Sequence, residues 1–386
     1  MELQYGPPQD TTEERQLGRL VGEAFGVTPE ECSRYVTRLG NQRFRILRSV
    51  SVQAGLGIYE IAQWFGGKPV KAAGIGGVVV APESRGQGLG KWLMGELLQE
   101  LFTQNYGISI LYPATQTLYR QLGYEQGGTH CEWSIAPETL RGGEYRLPVT
   151  RVDRLNRSIF EPLQARFALH HSGPISRDEA LWQSILGTET SVPRYAYVFG
   201  EDDGYLIYDS QRTATGFELT VRDWCLLTPA AISRCLRFWQ DQRSQIDQIH
   251  WVAPTTQSWL VQTAEQTARI SKQQHWLLRI VNVTQALMDR GYPSEISGEL
   301  EFAITDEWIP SNQGNFCLQV SAGQGVVSPG GRGDLSLSIG SLASLFTGLY
   351  TASQLAQLGR LNGPNAAIQR ADLLFSGPEP WLPDFF

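Results

Sequence analysis

The run Val78-Val79-Val80-Ala81-Pro82-Glu83-Ser84-Arg85-Gly86-Gln87-Gly88-Leu89-Gly90-Lys91 carries the sharpest chemical signal in the chain. An apolar stretch feeds a loop of the form Arg-x-x-Gly-x-Gly, and a helical pattern follows. Successive backbone N–H groups at such a helix start make an anion cradle, and the helix dipole adds to it. Glycines let the backbone approach a phosphate closely. Arg85 adds a forked donor. Other phosphate loops fit worse. A Walker loop needs Gly-Lys-Ser/Thr, and Lys91 precedes Trp92. A dinucleotide fingerprint fails at its third glycine, where Lys91 stands. The alternative reading is a plain strand-to-helix turn.

Several elements must hold this loop in place. Residues 72–81 form a Gly/Val-rich run whose apolar character implies a strand buried on both faces. After the loop, Leu89, Leu93, Leu97 and Leu101 repeat at helical spacing, with Met94, Leu98 and Phe102 beside them. Upstream, Leu17, Leu20, Val21, Ala24 and Phe25 form a helical stripe that Thr11 or Thr12 is placed to cap. Residues 44–52 and 55–64 read as strands, and Gly66-Gly67-Lys68-Pro69 as a turn. Residues 108–112 read as the next strand, and 116–122 as a short helix ending at Gly123. Strand, glycine loop, helix and strand compose an α/β unit.

A Pro/Gly-rich stretch at 140–149 reads as a linker, and the theme then recurs. Residues 195–199, 204–209, 217–226 and 248–253 look like strands, and 229–242 like a helix. Tyr112-Pro113-Ala114-Thr115-Gln116-Thr117 resembles Ala253-Pro254-Thr255-Thr256-Gln257-Ser258, each after a short apolar strand and opening a helix. Duplication of one fold is the preferred explanation. A third segment starts near Trp276. It holds a helix at 283–290, an antiparallel pair at 298–306 and 315–320, an alternating strand at 334–339 and short helices at 341–348 and 353–358. Gly323 to Gly333 reads as a loop. The Pro-rich tail ends in Trp381, Phe385 and Phe386, aromatics costly to leave in water, so it should pack into something.

At 386 residues the chain has room for two to four domains. Charged residues make up only 18%, and the formal net charge is −7, which disfavours a polybasic nucleic-acid binder and mildly attracts cationic substrates. Five dispersed cysteines without CxxC spacing form no zinc knuckle or redox motif and suit a reducing cytoplasm. The N-terminal stretch lacks signal-peptide character, and no apolar run approaches membrane-spanning length. A cytoplasmic protein without membrane or nucleic-acid partners is expected. His170-His171 lacks an acidic or cysteine neighbour, so no metal is expected there. His130 and Cys131 are adjacent and cannot face one target from a strand. His250 reads as structural, and Arg332-Gly333-Asp334 as a turn.

The pattern Val-x-Val-x-Pro-x-x-Arg-Gly-x-Gly-x-Gly resembles the acetyl-CoA pyrophosphate motif of the GNAT-superfamily acyltransferases. The resemblance implies that Arg85, Gly86, Gln87, Gly88, Leu89 and Gly90 hold the pyrophosphate and that Val78, Val79 and Val80 pair with the pantetheine arm. The N–H of Val80 would face the thioester carbonyl as a partial oxyanion hole. The segment from Tyr112 to Tyr124 resembles that family's "tyrosine, x, x, x, Gly-Phe/Tyr" stretch, which implies Tyr119 as general acid and places Thr115 among the cofactor contacts. A phenol and a thiol have reference pKa values about 1.5 units apart, so proton transfer between them is cheap. The bland alternative is a half-buried helix residue.

The whole chain resembles the Eis (enhanced intracellular survival) type of acetyltransferase. That resemblance implies an α/β (α+β) architecture. An active GNAT domain at 1–147 precedes a degenerate one at 148–283 and a sterol-carrier-protein-like domain at 284–386. The stretch Trp224-Cys225-Leu226-Leu227-Thr228-Pro229-Ala230-Ala231 has lost the glycine loop, and Leu260 stands where Tyr119 stands in the first copy. Leu277 to Val283 is read as opening the last domain. In the family the C-terminal carboxylate, here that of Phe386, returns to the first domain as general base, directly or through water. No Asp or Glu lies on 74–80 to take that role. The alternative is a tail that only packs. The implied reaction is direct acetyl transfer to a primary amine through a tetrahedral intermediate. An acidic acceptor pocket would suit aminoglycoside-like or lysine-type amines. The resemblance also implies a homo-oligomer, commonly a hexamer. The rival reading is a non-catalytic acetyl-CoA sensor, or a ligand-binding protein using the last domain.

Overall fold

The computed structural model describes residues 3–140, 143–187, 192–214, 216–263 and 265–386. Of the linker read at 140–149, Arg141 and Gly142 lie outside the described residues. The chain begins with β1 (Gln4–Gly6), α1 (Thr11–Phe25) and α2 (Pro29–Leu39). Asp10, not Thr11 or Thr12, caps α1, accepting from the N–H groups of Thr12 and Glu13. A short carboxylate reaches two orphan donors that a threonine inside the first turn cannot. α2 opens with a capping box between Thr28 and Glu31, a start signal the sequence reading overlooked.

Strands β2 (Phe44–Arg48), β3 (Val52–Phe65) and β4 (Lys68–Val80) form an antiparallel meander. Helix α3 (Leu89–Thr103) crosses over, and β5 (Ile108–Leu111) returns parallel to β4. Helix α4 (Gln116–Arg120) and β6 (Glu125–Ile135) complete the first unit. The Leu stripe of α3 packs with Leu56, Ile58 and Ile75 on one sheet face, while α1 and α2 cover the other.

The second unit runs β7 (Val149–Val152), α5 (Arg157–Ala168), β8 (Ile175–Ser176), α6 (Glu179–Leu186), β9 (Tyr195–Phe199) and β10 (Gly204–Arg212). It continues through β11 (Phe217–Leu226), α7 (Pro229–Asp241), β12 (Ile246–Ala253) and β13 (Arg269–Ile280). β10 and β11 are antiparallel, and β11 and β12 parallel, as β3, β4 and β5 are in the first unit. The motif at 253–258 opens a 3-10 turn, Ser258–Gln262, rather than an α-helix.

One sheet joins the two units in the order β1-β2-β3-β4-β5-β13-β6-β12-β11-β10-β9-β7. The closing strands are exchanged: β13 pairs with β5, and β6 pairs with β12. Leu277–Ile280 therefore belongs to the central sheet and does not open the last domain. Its near-continuous apolar character is that of a strand covered on both faces.

The third unit comprises α8 (Val283–Asp289), β14 (Gly298–Thr305), β15 (Gly314–Ser321), β16 (Gln324–Pro329) and β17 (Leu335–Ser338). Helices α9 (Ile339–Thr347) and α10 (Ala352–Gln357), strand β18 (Leu361–Asn362) and helix α11 (Asn365–Leu374) follow. Its sheet has the order β16-β15-β14-β17-β18. The stretch 323–333 is not all loop, since β16 pairs antiparallel with β15 along that edge. The turn glycines flanking it masked a strand that needs only one buried neighbour.

A fully buried ion pair ties this unit to β13. Arg279 Nη2 donates to both Asp306 oxygens at 2.7 Å, and Asp306 also accepts from Asn312 Nδ2 and the Trp308 N–H. Removing one buried partner strands the other charge at a cost of about 3–5 kcal/mol. Asp306→Ala is therefore expected to lose about that much stability, read as a shift of the urea midpoint; a loss below about 1 kcal/mol would refute the pair's role. No helix among the described residues is long and apolar enough to cross a membrane.

Candidate active site

β4 and β5 pair from Ala72↔Ile108 to Ile75↔Leu111 and then part. A bulge helps them separate: between Gly76↔Gly57 and Val79↔Gly55, β4 carries one extra residue, and Gly77 adopts φ +63°. A left-handed glycine is the usual way to seat such a bulge. Beyond it, the Ala81 N–H donates to the Gln53 carbonyl of β3's leading end at 2.8 Å. Backbone N–H groups alternate along a strand, so the N–H of Val80 faces the opposite edge, into the opening. The Val80 carbonyl, on that same edge, accepts from Arg85 Nε at 3.3 Å. Val79 has the opposite parity. Its backbone faces β3 and its side chain is core, so it does not present itself to the opening as the resemblance implied.

The glycine loop is open. Gly86 and Gly88 hold φ +78° and +79°, and a Cβ on either would meet nothing within 4 Å. Gly88 is the N-cap of α3, and no side chain caps that helix. The first-turn donors of α3 are thus left to a ligand or to water. Leu89 contributes only its backbone there, because its side chain is buried under α3. Thr115 is the N-cap of α4, yet its exposed hydroxyl makes no capping bond. An unfilled anion cradle beside a parted strand pair suits a pyrophosphate joined to an extended arm.

Tyr119 is buried on α4, and burial pushes its phenol up to about 12. Its carbonyl accepts from the N–H groups of Leu122 and Tyr124, which fixes the ring's base. A cavity of about 320 Å³ brings Tyr119 together with Phe386, Ile75, Gly76, Gly77 and Tyr112. The ring of Phe386 lies 5.2 Å from that of Tyr59. A Cβ on Gly76 would sit 3.2 Å from the Phe386 carboxyl carbon, and one on Gly74 would be 2.8 Å from its ring. Glycines on β4 therefore make room for the last residue, a signal legible only once the tail's path is known. Phe385 stays 63% exposed at the cavity's rim, its ring tilted 32° to that of Tyr112 at 4.5 Å. The cavity walls are mostly apolar and aromatic, with Glu31 as the acidic side chain among them.

Residues that sequence reasoning missed hold the tail. Tyr112 donates to the Asp384 carbonyl at 2.7 Å, and His130 Nδ1 lies 2.8 Å from the Leu382 carbonyl. Burial lowers the His130 pKa, so its ring is neutral at pH 7. Arg177 Nε donates to Asp384 at 2.6 Å, and its other nitrogens fork onto Asp223. All lie far from one another in sequence, and no local spacing advertises them.

Acetyltransferase (GNAT) domain families match residues 8–127 and 173–280, and a sterol carrier protein domain family matches 283–383. The crystal structure of a GCN5-related N-acetyltransferase from Anabaena variabilis is 38% identical, with each chain covered in full and a TM-score of 0.96. N-acetyltransferase Eis of Mycobacterium tuberculosis is 28% identical over 329 residues, 80% of this chain and 79% of that protein. A GCN5-related N-acetyltransferase from Kribbella flavida is 26% identical over the whole chain and 98% of its own, with a TM-score of 0.88. The chain belongs to the GCN5-related N-acetyltransferase (GNAT) family, in the Eis-type arrangement of two GNAT domains followed by a sterol-carrier-protein-like one.

Proposed function

We propose that this chain transfers the acetyl group of acetyl-CoA to a primary amine of aminoglycoside-like or lysine-type acceptors. The supporting observation is that Tyr119 and Phe386 line one cavity at the opening between β4 and β5. Acetyl-CoA supplies the activated acyl group. The 86–90 loop, the first-turn N–H groups of α3 and Arg85 hold its pyrophosphate, with Thr115 nearby. The backbone of Val78 and the N–H of Val80 face the pantetheine arm, while the Val80 carbonyl is held by Arg85 Nε. The Phe386 carboxylate, directly or through water, takes a proton from the acceptor ammonium, freeing its lone pair. The amine nitrogen then bonds to the carbonyl carbon, and the C–S bond breaks as the resulting tetrahedral intermediate collapses. The Val80 N–H meets the charge that develops on the carbonyl oxygen. Tyr119 gives a proton to the departing sulfur and recovers one, through water, from the nitrogen of the new amide, which sheds its second proton at this step.

Release of coenzyme A thiol from acetyl-CoA, measured against aminoglycosides and lysine peptides, tests this reading. Amine-dependent release supports it. Tight acetyl-CoA binding without release for any of these amines overturns it in favour of a sensor. Arg85→Ala is expected to raise the KM for acetyl-CoA about tenfold, the scale of one partly exposed charge-assisted hydrogen bond, with kcat unchanged. An unchanged KM in steady-state kinetics would remove Arg85 from the cradle.

A further inference from the structure

The second GNAT unit repeats the geometry of the first at the place where chemistry is lost. β11 and β12 are paired in parallel only to Thr220↔His250, yet they continue to Leu226 and Ala253. They part beyond that point, as β4 and β5 part beyond Ile75 and Leu111. In the first unit this opening faces the proposed cofactor arm. In the second it receives the chain's own C-terminal segment. Trp381 stacks 6.0 Å from Trp224 of β11, whose indole N–H donates across the gap to the Val252 carbonyl of β12 at 2.8 Å.

The loops correspond as well. Ala114 and Thr115 align with Thr255 and Thr256 in the internal repeat. One carboxylate oxygen of Glu379 accepts from the Thr255 N–H at 2.9 Å, the Thr255 hydroxyl at 2.6 Å and the Thr129 hydroxyl at 3.1 Å. The other accepts from the Thr256 N–H at 3.2 Å. An anion therefore occupies the repeat of the loop that offers Thr115 in the first unit. Beyond Glu379, backbone bonds continue the docking: Trp381 N–H to Ser172 O at 3.0 Å, and Leu382 N–H to Thr129 O at 2.9 Å. Gly173 permits this approach, since a Cβ there would lie 2.1 Å from the Trp381 carbonyl oxygen. Asp384 closes the path on Arg177, which Asp223 of β11 holds from the other side.

We propose that the degenerate GNAT unit retains its parted strands and its Pro-Thr-Thr loop as a receptor for the C-terminal segment, with Glu379, Thr255, Arg177 and Asp384 as positioning residues that hold Phe386 over β4. Loss of the glycine loop cost this unit its cofactor site and left the cleft free for an internal ligand. The link to turnover rests on the reading of the Phe386 carboxylate as base; the receptor itself does not.

The test uses the full chain carrying Glu379→Gln with Thr255→Val, and Thr255→Ser as the conservative control. Arg177 is left intact, because its loss would strand two buried carboxylates and threaten the fold. Hydrogen exchange of the 378–386 amides reads docking, and steady-state kinetics read positioning. The double variant is expected to exchange this segment at least tenfold faster, with β11 and β12 unchanged. Its kcat is expected to fall about tenfold at constant KM for acetyl-CoA, while Thr255→Ser keeps both near wild type. Unchanged exchange in the double variant overturns the receptor. Faster exchange with unchanged kcat upholds the receptor and removes the Phe386 carboxylate from catalysis, so the two readings fail separately.

Discussion

Tyr119→Phe is expected to lower kcat by about 10²–10⁴-fold, the range that a positioned proton donor contributes. The phenylalanine keeps the ring in its packing against Tyr124, 5.9 Å away, so the loss reports the hydroxyl alone. Burial is the one cause of the raised Tyr119 pKa, about 12. A raised pKa extends the protonated range upward. Tyr119 therefore stays a competent acid at every pH below about 11, and the wild-type profile should show no alkaline fall that belongs to it. Such a phenol is a weak donor toward a thiolate in water. Burial raises thiols too, as it does for Cys225 and Cys235, so a sulfur departing inside the cleft is more basic than one in solvent. Near-normal turnover of Tyr119→Phe, with unchanged KM for acetyl-CoA, would remove it as the acid.

Removal of Phe385 and Phe386 is expected to lower kcat by about 10²-fold or more, the scale of one general base. The physical basis is the placement of the Phe386 carboxyl carbon 3.2 Å from where a Cβ on Gly76 would stand, in the cavity that Tyr119 and Phe386 both line. Deletion removes packing as well as charge. A semisynthetic chain ending in Phe386 carboxamide separates the two, since its ring still packs against Tyr59 while its carboxylate is gone. Loss of turnover in both forms assigns the base. Loss in the deletion alone would make the tail a packing element.

Much of the proposed site is legible in the sequence. Gly86, Gly88 and Arg85 announce a phosphate cradle because close backbone approach and a left-handed φ demand glycine, and that demand is local. The strand-loop-helix pattern from Val78 to Leu101 was equally readable, since an apolar stripe at helical spacing needs no distant partner to be recognised. Other elements were not. α2 is polar along most of its length and buries only Cys32 and Leu39, so its pattern was faint. β6 carries Glu125, Thr129 and His130 buried among apolar residues, which obscures a strand's alternation. The exchange of β6 and β13 follows from pairing between residues more than a hundred positions apart, on which periodicity is silent.

By itself, the sequence determined the elements whose signals are contained in a few turns of chain: the glycine loop, the helix it opens, the duplicated Pro-x-Thr motif and an aromatic tail, of which Trp381 and Phe386 pack while Phe385 stays exposed. Only the tertiary structure decided where that tail goes. Its path depends on Thr129, Arg177, Asp223 and Thr255, brought together from separate strands and loops. A buried carboxylate such as Asp384 is tolerable only beside a matched cation. That match forms only when the whole chain has folded.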